Sequence, residues 1–496
     1  MHRETLRDRR AGAELGHQRR LLTKGVDIVN VAEEILAALE AENRGADNEG
    51  QHREGSRVVA RQLHSQYYSS EMPSSRRLPA LVAVQGALLI GLTVLLIQPK
   101  DVPDPFGVGS SLSWTLICVV AALPTLIDSA LHGGLPRTRL DPFVWVYVVC
   151  FLVVFPFSVG RNTSALWVMS LLANVLVFYA AAATVRDMES LIGAMFLTLV
   201  VGVAVLQIMA IDFHAEQGIL TRISEYDRPE GWSGYPELGF IVCVQLAILI
   251  ALFQAVRYAP WRVAVGLVIA VSAVELIFLF SRMAWVTAAA LLAVGAAAGT
   301  PIGRVWKPAL GALIVAALVV VGIAWSSTGR HLLVTLTERT ASASRLAIWE
   351  RTTRMIEDHP LVGVGAGNFQ AVFEPVYNPM LNEDLRRGGH AHNLWLQEAA
   401  ELGVITAIAY IALWIAALIS AARLSRTSWI GAAAFLMVVA MAVRNMGDYM
   451  FFSTGGTQAR LHTLLWLVWG VVGGHRFVHA AATRSVPAAD LEAVKA

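Results

Sequence analysis

The chain has 496 residues, of which 56% are hydrophobic and only 15% charged, with a net charge of +2 and a mean hydropathy of +0.56. Soluble domains carry about 25% charged residues, so this composition excludes a disordered chain, a coiled coil and an ordinary soluble enzyme. The small net charge leaves no basic field for nucleic acid. What remains is a polytopic helical membrane protein. Cys118, Cys150 and Cys243 each lie in an apolar run; an odd, scattered set of this kind is neither a disulfide framework nor a zinc site.

The first 79 residues carry charge of both signs and no long apolar run. Ile28, Val31, Ile35 and Leu39 recur at spacings of three and four, which predicts one amphipathic helix over 26–42. No secretory core and cleavage site stands near the start. The stretch 1–79 reads as a cytoplasmic, partly disordered N-terminal tail.

From Pro79 onward, apolar stretches alternate with short polar breaks. A helix needs about 20 residues to cross the hydrocarbon layer. On that measure the spans fall near 80–98, 112–130, 142–158, 164–184, 190–211, 236–256, 261–280, 283–299, 308–325, 403–421, 429–445 and 461–479. The fold class is therefore all-α, a polytopic membrane bundle of about 12 transmembrane helices. The bundle domain covers 80–480, followed by a cytoplasmic tail over 481–496. One large extracytoplasmic loop, 326–402, separates the ninth and tenth spans. Orientation follows from Arg137, Arg139, Arg186, Arg257, Arg262, Arg304, Lys307, Arg423 and Arg426 in alternate short loops, which puts both termini inside.

The long loop holds most of the informative residues. Its first part predicts a helix from Ser344 to about Asp358, with Ser342 or Ser344 able to cap it and Pro360 stopping it. Leu346, Trp349 and Ile356 share a face, suited to lying on the membrane or the bundle. The run Gly363-Val364-Gly365-Ala366-Gly367 invites a nucleotide reading, but no strand precedes it in a βαβ unit. A tight turn with close backbone approach is the simpler reading, and backbone N–H groups aimed at a phosphate are the alternative.

The loop closes on Gly388-Gly389-His390-Ala391-His392-Asn393. His390 and His392 lie two apart, so in an extended segment they point the same way. Three readings stay open at this stage. A metal pair needs a third ligand, for which Glu374, Glu383 and Asp384 are available. A neutral imidazole can act as general base, with Asn393 fixing the local geometry. An interfacial histidine with no role is the plainest of the three. Arg282, at the outer end of the seventh span, is costly there unless it snorkels or pairs. With Arg345, Arg386 and Arg387 it forms a set of guanidinium groups around the histidines, which suggests a polyanionic ligand such as a lipid pyrophosphate. Arg444 and Asp448, at i and i+4, are spaced to form an ion pair, structural or orienting.

These residues resemble the O-antigen ligase and O-antigen polymerase family, membrane glycosyltransferases of the GT-C type. The matching stretch runs from about 220 to 410. It includes Arg228-Pro-Glu-Gly231-Trp-Ser-Gly234-Tyr-Pro236, Ser281-Arg282-Met-Ala-Trp285, Arg345-Leu-Ala-Ile-Trp349 and His359-Pro360-Leu361-Val-Gly363-Val-Gly365. The most specific element is His392-Asn393 followed by Gly403 and Thr406. Val286 stands where a Leu is often found.

The resemblance implies a glycan donor carried on undecaprenyl pyrophosphate, in a multi-pass protein of the bacterial inner membrane whose site faces the periplasm. Arg282 and Arg345 would hold the pyrophosphate. His392 would take the proton of an acceptor hydroxyl. Arg386, Arg387, His390 and Asn393 are further candidates for substrate contact. It implies no cofactor and no metal, and an inverting reaction. The partners it implies are a glycan or lipid A core acceptor, membrane lipid, and a flippase or chain-length regulator. Polymerase of O-antigen, capsule or exopolysaccharide units, ligase to lipid A core, and protein O-oligosaccharyltransferase share this donor and differ in acceptor. A polysaccharide transporter is the reading from another class. It is disfavoured because transporters build their sites at mid-membrane from paired repeats, whereas here the polar residues cluster in one asymmetric loop.

Overall fold

The computed structural model describes residues 79–97, 109–132, 134–216, 235–279, 281–297, 340–378, 389–451, 454 and 456–475. Among them the protein is all-helical and contains no strand. The helices are α1 (Pro79–Ile97), α2 (Ser110–His132), α3 (Asp141–Val154), α4 (Arg161–Asp187), α5 (Glu189–Glu216), α6 (Tyr235–Ala255), α7 (Ala259–Phe278) and α8 (Arg282–Ala297). There follow α9 (Thr340–Asp358), a short α10 (Phe369–Val372) running into a π-helical turn (Phe373–Tyr377), α11 (Leu394–Leu424), α12 (Trp429–Gly447) and α13 (Gly456–Gly474).

Eight of these, α1, α2, α4, α5, α6, α7, α11 and α12, are long and apolar enough to cross a membrane, while α3 and α8 are shorter apolar helices. They fall on ten of the predicted spans. The span predicted at 308–325, the helix predicted at 26–42 and both predicted tails lie outside the described residues.

Several boundaries differ from the sequence reading, and four of them have a clear physical reason. The helix on the last predicted span, α13, is not among those apolar enough to cross a membrane, and it begins at Gly456 rather than 461 because Arg460 does not interrupt it: the side chain is wholly buried and donates to the Leu95 carbonyl at 3.3 Å. The third stops at Val154 and passes into a 3-10 turn, Phe155–Phe157, where Pro156 supplies no N–H. The tenth begins at Leu394 rather than 403, because Gln397 and Glu401 are buried and bonded, not loop residues. Likewise α9 starts at Thr340, which places Ser342 and Ser344 inside the helix rather than at its cap.

The core is an interlocked set of apolar helices in which α13 packs on α4, α12 on α6 and α8, and α11 on α3 and α12. Hydrocarbon gives helices no hydrophobic drive to associate, so close van der Waals approach carries the packing. The α4–α13 contact is built that way. Ala181 and Ala182 face Gly470 and Gly474, where an added Cβ would come within 2.2 Å of the Phe178 carbonyl oxygen and 2.4 Å of that of Ala182. Buried hydrogen bonds fix the register. Thr463 on α13 accepts from Trp114 on α2 at 2.9 Å and donates to Asn174 on α4 at 2.7 Å. Gln207, Ser272 and Gln245 join α5, α7 and α6 at 3.0 Å each. At the periphery, α7 turns Val263 and Leu267 outward, each more than 60% exposed, as a hydrocarbon-facing helix does.

A second, smaller core sits on the N-terminal part of α11 and supports the site. It contains Ile348, Met355, Val364, Phe369, Phe373, Ala391 and Ala400. Trp349 and Ile356 pack against it, but Leu346, placed on the same face by its spacing, is 62% exposed. The inward stripe of α9 is Ile348, Thr352 and Met355, spaced by four and three.

Candidate active site

The site is built around a break in α11. Gly403 has φ 78° and ψ 163°, a conformation essentially confined to glycine. The break interrupts the helical ladder, and the loop after α9 takes up the released groups. Val364 N donates to Ala400 O at 3.0 Å, Gly365 N to Glu401 O at 2.7 Å, and Val404 N to Pro360 O at 2.8 Å. The loop backbone lies so close that a Cβ on Gly363 (φ +62°) would stand 2.3 Å from the Glu401 carbonyl. The glycine run therefore serves close backbone approach, the simpler of its two readings. The Glu401 carboxylate completes the join, accepting from Phe369 N at 3.1 Å and from Gln397 Nε2 at 2.9 Å.

This framework holds the segment before α11 from several directions. Ala391 N donates to Gln397 Oε1 at 2.7 Å, and Ala391 O accepts from Trp349 Nε1 at 2.8 Å. Asn393 is the N-cap of α11: its Oδ1 accepts from Trp395 N at 3.0 Å and Leu396 N at 3.1 Å. Its Nδ2 donates to Met446 O on α12 at 2.9 Å. Between them His392 has φ +50°, the one non-glycine residue with positive φ among the described residues. Such a conformation costs about 1–2 kcal/mol for an L-residue, and the surrounding bonds overcome that cost.

His392 Nδ1 lies 3.2 Å from Asp448 Oδ1, and Asp448 Oδ2 lies 3.1 Å from Arg444 Nη2. One carboxylate therefore bridges the imidazole and a wholly buried guanidinium. Burial by itself would push the Asp448 carboxyl up, but its hydrogen bond with His392 and the charges of Arg444 and Arg345 outweigh that and hold it at about 2. An ionised carboxylate only accepts, so Nδ1 of His392 carries a proton, and the tautomer of the neutral ring that this bond favours has its lone pair on Nε2. The His392 side chain is 21% exposed, against 10% for Asp448, so the imidazole is the member of the pair that a substrate can reach.

Arg345 Nη1 donates to Gly447 O at 2.7 Å. With the Asn393 bond to Met446 O, this satisfies carbonyls left open at the C-terminus of α12. Met283, next to Arg282 on α8, packs on the same Gly447: a Cβ there would be 2.4 Å from its sulfur. Burial holds the pKa of the Arg345 guanidinium below its ordinary value, with the charges of Arg282 and Arg444 adding to the effect and Asp448 opposing it. Arg282, Arg345, Arg444 and Asp448 thus share one electrostatic compartment beside His392.

The His390 and His392 rings have centroids 4.1 Å apart, with Tyr449 6.1 Å from His390. Burial, reinforced by the neighbouring His392 and Arg345, holds the His390 imidazole down at about 3, so it is neutral at working pH. One ligand atom from each of His390, His392 and Asp448 lies within 4.8 Å of the others. Asp448 therefore takes the third position of the histidine cluster. Glu374 instead accepts from Gln370 at 2.9 Å in an exposed turn. Glu383, Asp384, Arg386 and Arg387 lie outside the described residues.

Of the predicted site residues, the structure brings together Arg282, Arg345, His390, His392 and Asn393. Sequence reasoning missed the pairing of Asp448 with His392, which are 56 positions apart. The i,i+4 spacing of Arg444 and Asp448 signalled their ion pair and nothing of where it points. Gln397 and Trp349, which pin Ala391, carried no signal beyond their place on helices.

No curated protein matches the chain. Residues 267–411 match the family model described as O-antigen ligase, a stretch that contains Arg282, Arg345, the histidine segment and the Gly403 break and ends before Asp448. Over those residues the chain is similar to the O-antigen ligase family, which supports an assignment to the O-antigen ligase/polymerase family and to membrane glycosyltransferases of that type.

Proposed function

We propose that the protein transfers a glycan from undecaprenyl pyrophosphate to an acceptor hydroxyl during surface polysaccharide assembly, on the periplasmic side of the bacterial inner membrane. The observation that carries this reading is the His392–Asp448 pair beside Arg345, inside and next to the matched stretch. In one step the acceptor oxygen attacks the anomeric carbon, and the bond from that carbon to the diphosphate oxygen breaks. The acceptor proton moves to Nε2 of His392. The carbon inverts, and undecaprenyl pyrophosphate leaves as the anion. Asp448 fixes the tautomer of His392 and stabilises the imidazolium that forms. Arg282 and Arg345 bind the diphosphate and meet the charge that develops on it. A diphosphate is already an activated leaving group, so these guanidinium groups fill the place of a divalent cation and no nucleotide sugar is needed. Arg386, Arg387 and His390 are secondary contacts for the glycan.

Reconstitution with lipid-linked repeat units tests this. Arg282→Ala and Arg345→Ala are expected to reduce use of the lipid donor by at least about 10-fold each, a loss of about 1.4 kcal/mol or more of differential binding. Lysine at either position should restore little, because an ammonium lacks the two-pronged donor geometry. Full activity of both lysine variants would reduce the role to simple charge, and full activity of both alanine variants would remove the diphosphate assignment. The same assay separates acceptors: growing ladders identify a polymerase, and transfer to a second acceptor alone identifies a ligase or an oligosaccharyltransferase.

A further inference from the structure

We propose that His390, His392 and Asp448 form a binding site for a zinc-class divalent ion, and that the bound ion switches glycan transfer off by occupying the base. The inhibitory half of this rests on the reading of His392 as the base; the site itself does not.

Two imidazoles and one carboxylate, with a fourth position left open, are a ligand set that zinc accepts. One ligand atom from each of the three residues lies within 4.8 Å of the others. Zinc ligands at about 2.0–2.2 Å in a tetrahedron stand about 3.4 Å from one another, so small side-chain rotations close the set. The backbone is already committed to this convergence. Ala391, between the two histidines, is fixed through both its N–H and its carbonyl, and the left-handed turn at His392 brings the ring centroids to 4.1 Å. Asp448 is held in place from its other oxygen by Arg444.

The surroundings select the kind of ion. The guanidinium groups of Arg345 and Arg444 face the cluster and repel any cation. Mg²⁺ and Ca²⁺ prefer oxygen ligands and gain little from imidazole to set against that repulsion. Zn²⁺ and Cu²⁺ form strong bonds to imidazole nitrogen and overcome it.

Inhibition follows from the electron count of the ring. A neutral imidazole has one lone pair on nitrogen and one N–H. If the metal binds Nε2, it takes the lone pair that would accept the acceptor proton. If it binds Nδ1, displacing the Asp448 hydrogen bond, the ring proton resides on Nε2, which then donates instead of accepting. Either mode leaves His392 unable to act as a base.

The test uses the full chain purified in detergent, with Zn²⁺ alone as the probe and a chromophoric chelator reporting affinity. Wild-type protein is expected to bind one Zn²⁺, and His390→Ala and His390→Gln to bind it at least about 10-fold more weakly. The zinc X-ray absorption spectrum of the wild-type complex should show nitrogen and oxygen ligands only. Equal affinity in wild type and both variants, or a sulfur ligand from Cys118, Cys150 or Cys243, overturns the site. In reconstituted vesicles, Zn²⁺ should inhibit transfer with the midpoint measured for binding. A chelator should reverse the inhibition, and Mg²⁺ at the same concentration should leave transfer unchanged. Zinc bound through these residues without loss of transfer overturns the inhibition, and with it the assignment of His392 as base, while the site stands.

Discussion

Replacing His392 with alanine is expected to lower glycan transfer by about 10²–10⁴-fold, the range contributed by a positioned general base, with membrane insertion and donor affinity retained. The retention follows from where the side chain sits. His392 is partly exposed and makes one side-chain hydrogen bond, to Asp448, while Ala391 and Asn393 hold the backbone on either side. Truncation therefore leaves α11 capped and the loop seated. It also removes the strain of a bulky residue at φ +50° only in part, since alanine in the left-handed region is strained as well. Asp448→Asn provides the companion measurement, because Asp448 acts through the imidazole. An amide that presents its NH₂ to Nδ1 stabilises the opposite tautomer, with the proton on Nε2. The expected outcome is a fall in kcat of about 10²-fold or more, with KM for the lipid donor little changed, and partial recovery in Asp448→Glu. A variant that raises KM and spares kcat would show Asp448 to be a binding-site support and not the partner of a base.

Gly403→Ala is the second large effect, and it acts on folding. At φ 78° and ψ 163° any side chain is strained by about 1–3 kcal/mol. An added Cβ would in addition lie 2.2 Å from the Leu361 carbonyl oxygen. Relieving that clash lifts the loop off the break and endangers the three bonds it exchanges with α11, each worth about 0.5–1.5 kcal/mol net. The summed loss is on the order of 4 kcal/mol, read as a fall in the thermal unfolding midpoint in detergent together with loss of transfer. Gly91→Ala is the control: it lies within α1 with nothing inside 4 Å of its added Cβ, so its midpoint should stay at or slightly above that of wild type. Wild-type unfolding of Gly403→Ala would mean that the break is not what seats the loop.

How much of this could be read in the sequence depends on the range of the interaction. Apolar stretches long enough to span hydrocarbon mark themselves locally, and the predicted spans from 80 to 299 fall on α1 to α8 with small shifts at their ends. Two of the shifts occur where a polar residue is buried with a partner. Arg460 looked like a boundary and is a core residue bonded to Leu95 O. Gln397 and Glu401 looked like loop and are the polar joint between α11 and the seat laid against it. The site divides in the same way. Arg345, His392 and Asn393 stood out by type and spacing inside one loop. Asp448 did not, because its pairing with His392 depends on where the end of α12 meets the start of α11, and that is set by the Asn393–Met446 and Arg345–Gly447 bonds across the fold. Hydrophobic periodicity carries no information about such contacts.

On the proposed mechanism, Arg282 and Arg345 hold the diphosphate of a polyprenyl carrier beside the reactive nitrogen of His392. The most direct test is a cryo-EM structure of the full chain bound to a non-transferable analogue of an undecaprenyl-pyrophosphate glycan. The expected density places both phosphates within hydrogen-bond reach of the Arg282 and Arg345 guanidinium groups, with the anomeric carbon on the Nε2 side of His392. Density for the diphosphate at the other end of the bundle, or beyond reach of both arginines, would rule out their role in holding it.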